Sequence, residues 1–336
     1  MRPGLVLAVG PNGVGKTNLL ESLHVGTQGF SPRTRTDAQL VRFGDRVSRI
    51  HVRGSRGIVP IEIELTLEAG AGKRAKVNGA ALRAAEQLRT ETATLVFTPD
   101  RLGIVKSAPA ARRAYFDRAL GRLSPARAQL SAEYGAAVAQ RNASLRRIAG
   151  GFSTREALAP WTEQVAQLGA ELVAARKEAL ASLESPFAER AGELGLADAE
   201  LRYDGEPPTV ALLEDRLDRD LERGATGVGP HLDDIVLTAG ARELRGFGSQ
   251  GEQRLVVLAL LLAEAELIVE RRGVPPLLLL DDVLSELDLG RRRILAARVA
   301  GAGQTLITAT DAAMLPAEPE QLLEITPGEV HDRTAR

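Results

Sequence analysis

The chain has 336 residues, 44% of them hydrophobic, enough for about two ordinary domains with sizeable cores. Cysteine is absent, no basic leader with an apolar stretch opens the chain, and the longest apolar run is broken by Glu264, Glu266 and Glu270, so a disulfide framework, secretion and a membrane partner are not expected and a cytoplasmic location is. The formal net charge of -1 hides an asymmetry: seven Arg stand against two acids between Thr27 and Pro60, ten Lys or Arg against two between Arg101 and Arg147, and sixteen acids against seven bases from Ile148 to Glu222. Concentrated basic charge suits a polyanion gripped by its backbone, because counterions are released only there; a salt-bridged helix surface is the competing reading. Aromatic residues make up only 3%, which leaves little material for base stacking.

In chain order, Leu5 to Val9 reads as a short apolar strand, followed by a glycine-rich turn and a helix ending near Gly26. Ile61 to Leu67 alternates apolar and acidic residues as a half-exposed strand does, and Leu95 to Phe97 is a further short strand. From about Ser107 to Arg223 the pattern is helical, rich in Ala, Leu, Arg and Glu, which predicts an inserted helical lobe. Strand-like runs return from Ile235, including Leu277 to Leu280 and Thr305 to Ala309. The expectation is an α/β chain with a discontinuous core, 1–106 and 227–336, around a lobe at 107–226.

Gly10-Pro11-Asn12-Gly13-Val14-Gly15-Lys16-Thr17 fits a phosphate-binding loop placed between a strand and a helix. Its glycines let backbone N–H groups turn toward phosphate oxygens, Lys16 supplies charge, and the Thr17 hydroxyl can ligate Mg²⁺. The apolar run Leu277 to Leu280 ends in Asp281 and Asp282, where a buried parallel strand delivers acids to its carboxyl edge. Asp281 is expected to hold Mg²⁺ and Asp282 to polarise the attacking water. Ser249 and Glu252 make a capping box opening an apolar helix that Arg271, Arg272 and Gly273 close. The competing reading of that stretch is merely a well-capped core helix.

Together these motifs resemble the ABC ATPase superfamily, with Ser249 to Arg254 as its signature, Asp282 in place of the usual glutamate, and Ser285-Glu286-Leu287-Asp288 as its D-loop. The resemblance narrows to the RecF family through Asn18 to Ser22, Phe97 to Asp100, Lys106 to Pro109 with Arg112 and Arg113, Tyr134 through Ala143, Trp161, and Gly229 to Asp234. It implies an ABC-type P-loop ATPase head with an inserted helical lobe, and a weak DNA-stimulated ATPase that dimerises on ATP. The phosphate loop (Gly10, Asn12, Gly13, Gly15, Lys16, Thr17, Asn18) would bind ATP with Thr308, while Ser249, Gly251 and Asp288 would complete the site from the other subunit. By the same resemblance the DNA is a duplex next to a single-stranded gap, and the partners are RecR and RecO, leading to RecA loading. Family members open with a further strand pair ahead of the loop, whereas Met1 to Val9 precedes Gly10 here, which would shorten the adenine side. No glutamine is evident for the loop joining the lobes; Thr98 to Arg101 occupies its place.

Rival readings are a transporter ATPase, which would carry a switch histidine where Thr308 stands, and a chromosome-structure ATPase, which would insert hundreds of coiled-coil residues. A DNA-binding module with a vestigial ATP site is a third. His231 reads as a satisfied structural histidine, with catalysis the alternative. Arg112 and Arg113 are read either as phosphate contacts or as salt-bridged to their own domain.

Overall fold

A computed structural model describes residues 1–334 other than Arg35 and Ala241, with the side chains of Glu86, Asp100 and Arg101 also left out. The main elements in chain order are β1 (Leu5–Val9), α1 (Lys16–Gln28), β2 (Val47–Arg56), β3 (Val59–Glu68), β4 (Gly72–Val77), β5 (Ala80–Ala81) and β6 (Thr94–Phe97). Then come α2 (Pro109–Leu123), α3 (Leu130–Ala149), α4 (Ala159–Glu193), β7 (Ala199–Asp204), β8 (Asp234–Ala239), β9 (Arg242–Glu243) and α5 (Gln250–Arg272). The chain closes with β10 (Leu277–Leu280), α6 (Leu289–Val299), β11 (Thr305–Ala309), β12 (Gln321–Thr326) and β13 (Glu329–Asp332). Two compact units result: Met1–Arg101 with Glu193–Gly195 and Val257–Arg336, and Leu102–Gly192 with Leu196–Val256.

In the first unit a sheet of order β13-β12-β1-β11-β10-β6 is parallel except for β13, which pairs antiparallel with β12 at the edge. Strands covered on both faces are mostly apolar: β1 and β10 read as unbroken Leu, Val and Ala runs, and β11 adds the buried Thr305 and Thr308 to Leu306, Ile307 and Ala309. Val6, Ala8, Val96, Leu279, Leu306, Leu323 and Ile325 form the core with Leu20 of α1. An antiparallel sheet of order β2-β3-β4-β5 lays Ile63, Leu65, Leu67 and Ala75 against Val25 of the same helix while Glu62 and Glu64 face outward. Gly26 permits this approach: a Cβ there would stand 2.7 Å from Val52 Cγ2.

In the second unit α2, α3 and α4 pack around Leu120, Tyr134, Val138, Val165, Leu172 and Leu213. This unit also holds a small sheet of order β7-β8-β9, so the lobe is mainly helical, as expected, with three strands added. β8 pairs along its length with β7, and the ion pair of Arg112 with Asp234 adds a second tie. Those contacts draw the segment up to Val256 into this unit, so the division falls at 102 and 257, where the sequence reading set 107 and 227. Among the described residues no helix is long and apolar enough to cross a membrane.

Candidate functional site

The loop that follows β1 turns through Gly13 (φ 79°) and Gly15 (φ 115°), backbone conformations that L side chains rarely adopt, with no atom within 4 Å of a Cβ added at either. Helix α1 then starts at Lys16 with no side-chain cap bond and no acid in its first turn, so its N–H groups and positive dipole end favour an anion. Lys16 is only 8% exposed, and its Nζ donates to Gly10 O at 2.7 Å and Pro11 O at 2.9 Å, folding the ammonium over the loop. Asn12, Gly13 and Asn18 are exposed.

The paired acids come to this loop through the sheet order. Asp281 N–H donates to Phe97 O at 2.9 Å, extending the β10–β6 ladder one step and carrying the carboxylate to the edge. There it accepts from the Thr17 hydroxyl, 3.0 Å from Oδ2 and 3.2 Å from Oδ1. A hydroxyl beside a buried carboxylate, next to an anion-favouring loop, is an oxygen donor set that fits Mg²⁺ bound to a polyphosphate. Asp282 adopts the left-handed conformation (φ 49°, ψ 29°), which costs a non-glycine residue energy unless neighbours hold it. Thr308 Oγ1 accepts from its N–H at 2.9 Å, and Ser285 Oγ donates to its carbonyl at 2.8 Å. Its Oδ1 is buried and has no partner among the described residues. A buried unsatisfied acceptor is expensive, and an incoming O–H donor would satisfy it.

Thr308, expected at the γ-phosphate, is fully buried, and its hydroxyl also donates to Asp281 Oδ1 at 2.7 Å. It therefore locks the two acids rather than facing a ligand. Asp288, expected to bind nucleotide, caps α6 by accepting from Arg291 N–H and pairs with the Arg291 guanidinium at 3.1 Å. Two residues escaped the sequence reading. Ser285 counts in the sequence only as part of the D-loop, and Thr98, one residue beyond β6, carries a buried hydroxyl with no partner among the described residues. Nothing in the local sequence marks either role, because both depend on which strands lie side by side. The side chains of Asp100 and Arg101 in the same stretch lie outside the described residues.

The second unit holds Ser249 and Gly251 on the exposed N-terminal turn of α5. The capping box is reciprocal: Glu252 Oε2 accepts from Ser249 N–H at 2.7 Å, and Ser249 Oγ accepts from Glu252 N–H at 3.2 Å. The bonds from Ser249, its backbone N–H first, hold the Glu252 carboxyl below its ordinary range.

Arg112 does not offer itself to phosphates, and Arg113 is half-buried with one nitrogen engaged. Arg112 is 2% exposed and grips Asp234 with two bonds of 2.6 Å, and Arg113 Nη1 donates to Asp233 O at 2.6 Å. A buried guanidinium needs a carboxylate, and Asp234 stands at the start of the strand paired with β7. His231 is structural as read: its Nε2–H donates to Thr226 O at 3.0 Å, and its Nδ1 accepts from the Tyr134 hydroxyl at 2.7 Å. A carbonyl can only accept, and that fixes the neutral tautomer. Burial pushes the imidazole below its usual value. Arg176 bridges Asp117 and Pro230 O, and Arg141, fully buried, joins Asp220 and Thr226.

Residues 1–332 match the RecF/RecN/SMC N terminal domain family. The DNA replication and repair protein RecF of Heliobacterium modesticaldum is 38% identical over 336 aligned residues, covering 95% of this chain and 89% of its own. The solved structure of the recombination mediator protein RecF with ATP, of the RecFOR pathway, superposes with a TM-score of 0.90 at 27% identity over 99% of this chain and 92% of that one. The Smc head domain from Pyrococcus furiosus, bound to the C-terminal domain of ScpA, shares the fold, with a TM-score of 0.56 at 15% identity over 98% and 89% of the two chains. The architecture is the α/β fold of an ABC-type ATPase head.

Proposed function

This chain belongs to the RecF family of DNA replication and repair proteins, and from that premise we propose that it is an ATP-dependent DNA-binding protein that dimerises on ATP and acts in recombinational repair. The observation carrying the reading is the Thr17 hydroxyl 3.0 Å from Asp281, which joins the phosphate loop to the paired acids across the sheet edge. ATP would lie with its β- and γ-phosphates over the start of α1, held by the loop N–H groups and Lys16. Thr17 and Asp281 would hold Mg²⁺, which supplies charge neutralisation at those phosphates. The free Oδ1 of Asp282 suits a base that orients water, and Thr308 and Ser285 keep it turned.

Ser249 and Gly251, exposed at a helix N-terminus, would meet the partner subunit's γ-phosphate, so a second copy completes each site. ATP closure around DNA and release on hydrolysis follow from that arrangement, and turnover would be weak and stimulated by DNA. Duplex beside a single-stranded gap is the proposed DNA, with RecR and RecO as partners and RecA loading as the outcome, supported by the RecFOR pathway named for the structural neighbour.

Size-exclusion chromatography with light scattering, run with ATP, without nucleotide and with added DNA, tests the reading. A dimer should appear with ATP, be lost in Lys16→Ala, and be lost in Ser249→Arg although that variant still binds ATP. Dimerisation that ignores both substitutions would overturn the site assignment. ATP turnover measured with and without DNA separates an ATPase from a DNA-binding module with a vestigial site.

A further inference from the structure

The basic stretch from Thr27 to Pro60 divides into paired and unpaired cations. Arg33 pairs with Glu21, Arg53 with Glu62 and Arg56 with Glu91. The side chains of Arg42, Arg46 and Arg49 are exposed and make no hydrogen bond or ion pair with any other described residue. These three flank Phe43 in the sequence, and its relative exposure is 104%, in a chain of which aromatic residues make up 3%. Asp45 is the one acid among residues 42–49.

The segment is anchored at both ends. Leu40 and Val41 pack on the apolar cluster beneath β3, which shows that apolar residues here reach the core when they can. The next residues turn sharply: Asp45 N–H donates to Arg42 O at 2.9 Å, and Gly44 takes φ 91°, as the third position of a type II turn requires. Arg46 O then accepts from Ala69 N–H at 3.0 Å, continuing the β2–β3 ladder. Phe43 thus stands at the apex of an ordered turn, held away from the core by the geometry of its own backbone.

A large aromatic side chain left in water, on a segment that carries three unpaired guanidinium groups, calls for a partner with negative charge and an accessible flat face. Nucleic acid has both, but within an intact duplex every base face is already stacked. An unpaired base at the edge of a single-stranded gap leaves one open. We propose that residues 42–49 form a nucleic-acid prong, in which Arg42, Arg46 and Arg49 grip phosphates and Phe43 stacks on an unpaired base beside a gap. The inference rests on the DNA-binding reading above and gives a physical origin for preference for gapped over continuous DNA.

Fluorescence anisotropy of the full chain with ATP, using a labelled blunt duplex and the same duplex interrupted by a single-stranded gap, tests it. Phe43→Ala should weaken gapped DNA about 10-fold, the loss of one base stack, and leave the blunt duplex within about two-fold. Phe43→Tyr should restore the wild-type values. 2-Aminopurine placed in the gap should lose emission on binding the wild type and Phe43→Tyr but not Phe43→Ala. Replacing Arg42, Arg46 and Arg49 together by Ala should weaken both DNAs and flatten the log–log salt slope by roughly 2.7 units, about 0.9 for each phosphate. Wild-type affinity of Phe43→Ala for gapped DNA overturns the prong while leaving DNA binding intact. Equal weakening on both DNAs refutes stacking, and thermal melting at the wild-type temperature shows that such a loss is not misfolding. If the wild type binds neither DNA, the DNA-binding reading falls and the prong falls with it, and Phe43 is then a protein contact.

Discussion

Thr308→Val removes one hydroxyl and almost no volume, so it isolates two hydrogen bonds at the centre of the site. The hydroxyl donates to Asp281 Oδ1 at 2.7 Å and accepts from Asp282 N–H at 2.9 Å, and the residue is fully buried. A bond to a charged group contributes about 1.5–3 kcal/mol, and a buried N–H left without a partner costs about 1–3 kcal/mol. Thr17 still serves Asp281 after the change, so the loss in stability should be on the order of 3 kcal/mol. Turnover should fall further than stability explains, because Asp282 loses the bond that holds its left-handed turn. A misplacement of ~1 Å at a reacting group costs roughly 100-fold in rate. Thr308→Ser keeps the hydroxyl and should stay within a few-fold of the wild type. Phosphate release under saturating ATP and urea unfolding followed by circular dichroism read the two effects separately, with Lys16→Ala as the background for the first. Wild-type turnover in Thr308→Val, with Lys16→Ala at background, would refute the argument that Thr308 positions Asp282.

Asp282→Asn should bind ATP as the wild type does, as read by equilibrium dialysis, while phosphate release falls by about 100-fold or more. Arg112→Ala should destabilise the protein by about 3–5 kcal/mol in urea, because it strands the Asp234 carboxylate, and should leave the salt slope of DNA binding unchanged. His231 sets a pH dependence. The fold holds the imidazole neutral, so its proton affinity is lower folded than unfolded, and its contribution is complete above the unfolded pKa of about 6.5 and is lost as pH falls below that. Urea midpoints should drop from about pH 7.5 to about pH 5.5, and drop less in His231→Gln.

The strands that build the catalytic edge were legible because burial on both faces forces a mostly apolar run, unbroken in β1 and β10 and carrying Thr305 and Thr308 in β11: they fall at Leu5 to Val9, Leu277 to Leu280 and Thr305 to Ala309, as the sequence predicts. The capping box of α5 was legible for a local reason, since both its partners lie within one turn. β7 was not. It is half exposed, with Glu200, Arg202 and Asp204 outward, so its short alternation merges with the charged helix surfaces around it. Its partner β8 lies 30 or more residues further on, and that pairing, with the Arg112–Asp234 ion pair, ties 234–239 into the second unit. The Arg112–Asp234 and Thr308–Asp281 bonds were hidden for the same reason. Charge counting finds a basic stretch, but which of its cations are already neutralised depends on contacts more than 100 residues away, as for Arg112.

The position of β1 between β11 and β12 has a consequence for biosynthesis. Both edges of the strand that carries the phosphate loop are paired by strands from the last part of the chain to be made. At ~5–20 residues per second, the roughly 300 residues separating β1 from β11 keep that strand waiting about 15–60 s for its first neighbour in the sheet. The second unit, all of which is made in between, can bury its own core meanwhile. An apolar strand with open edges and no sheet is a substrate for chaperones and a nucleus for aggregation. Slow synthesis or premature termination before Thr305 should therefore yield insoluble chains in which the second unit is folded and the nucleotide loop has never formed.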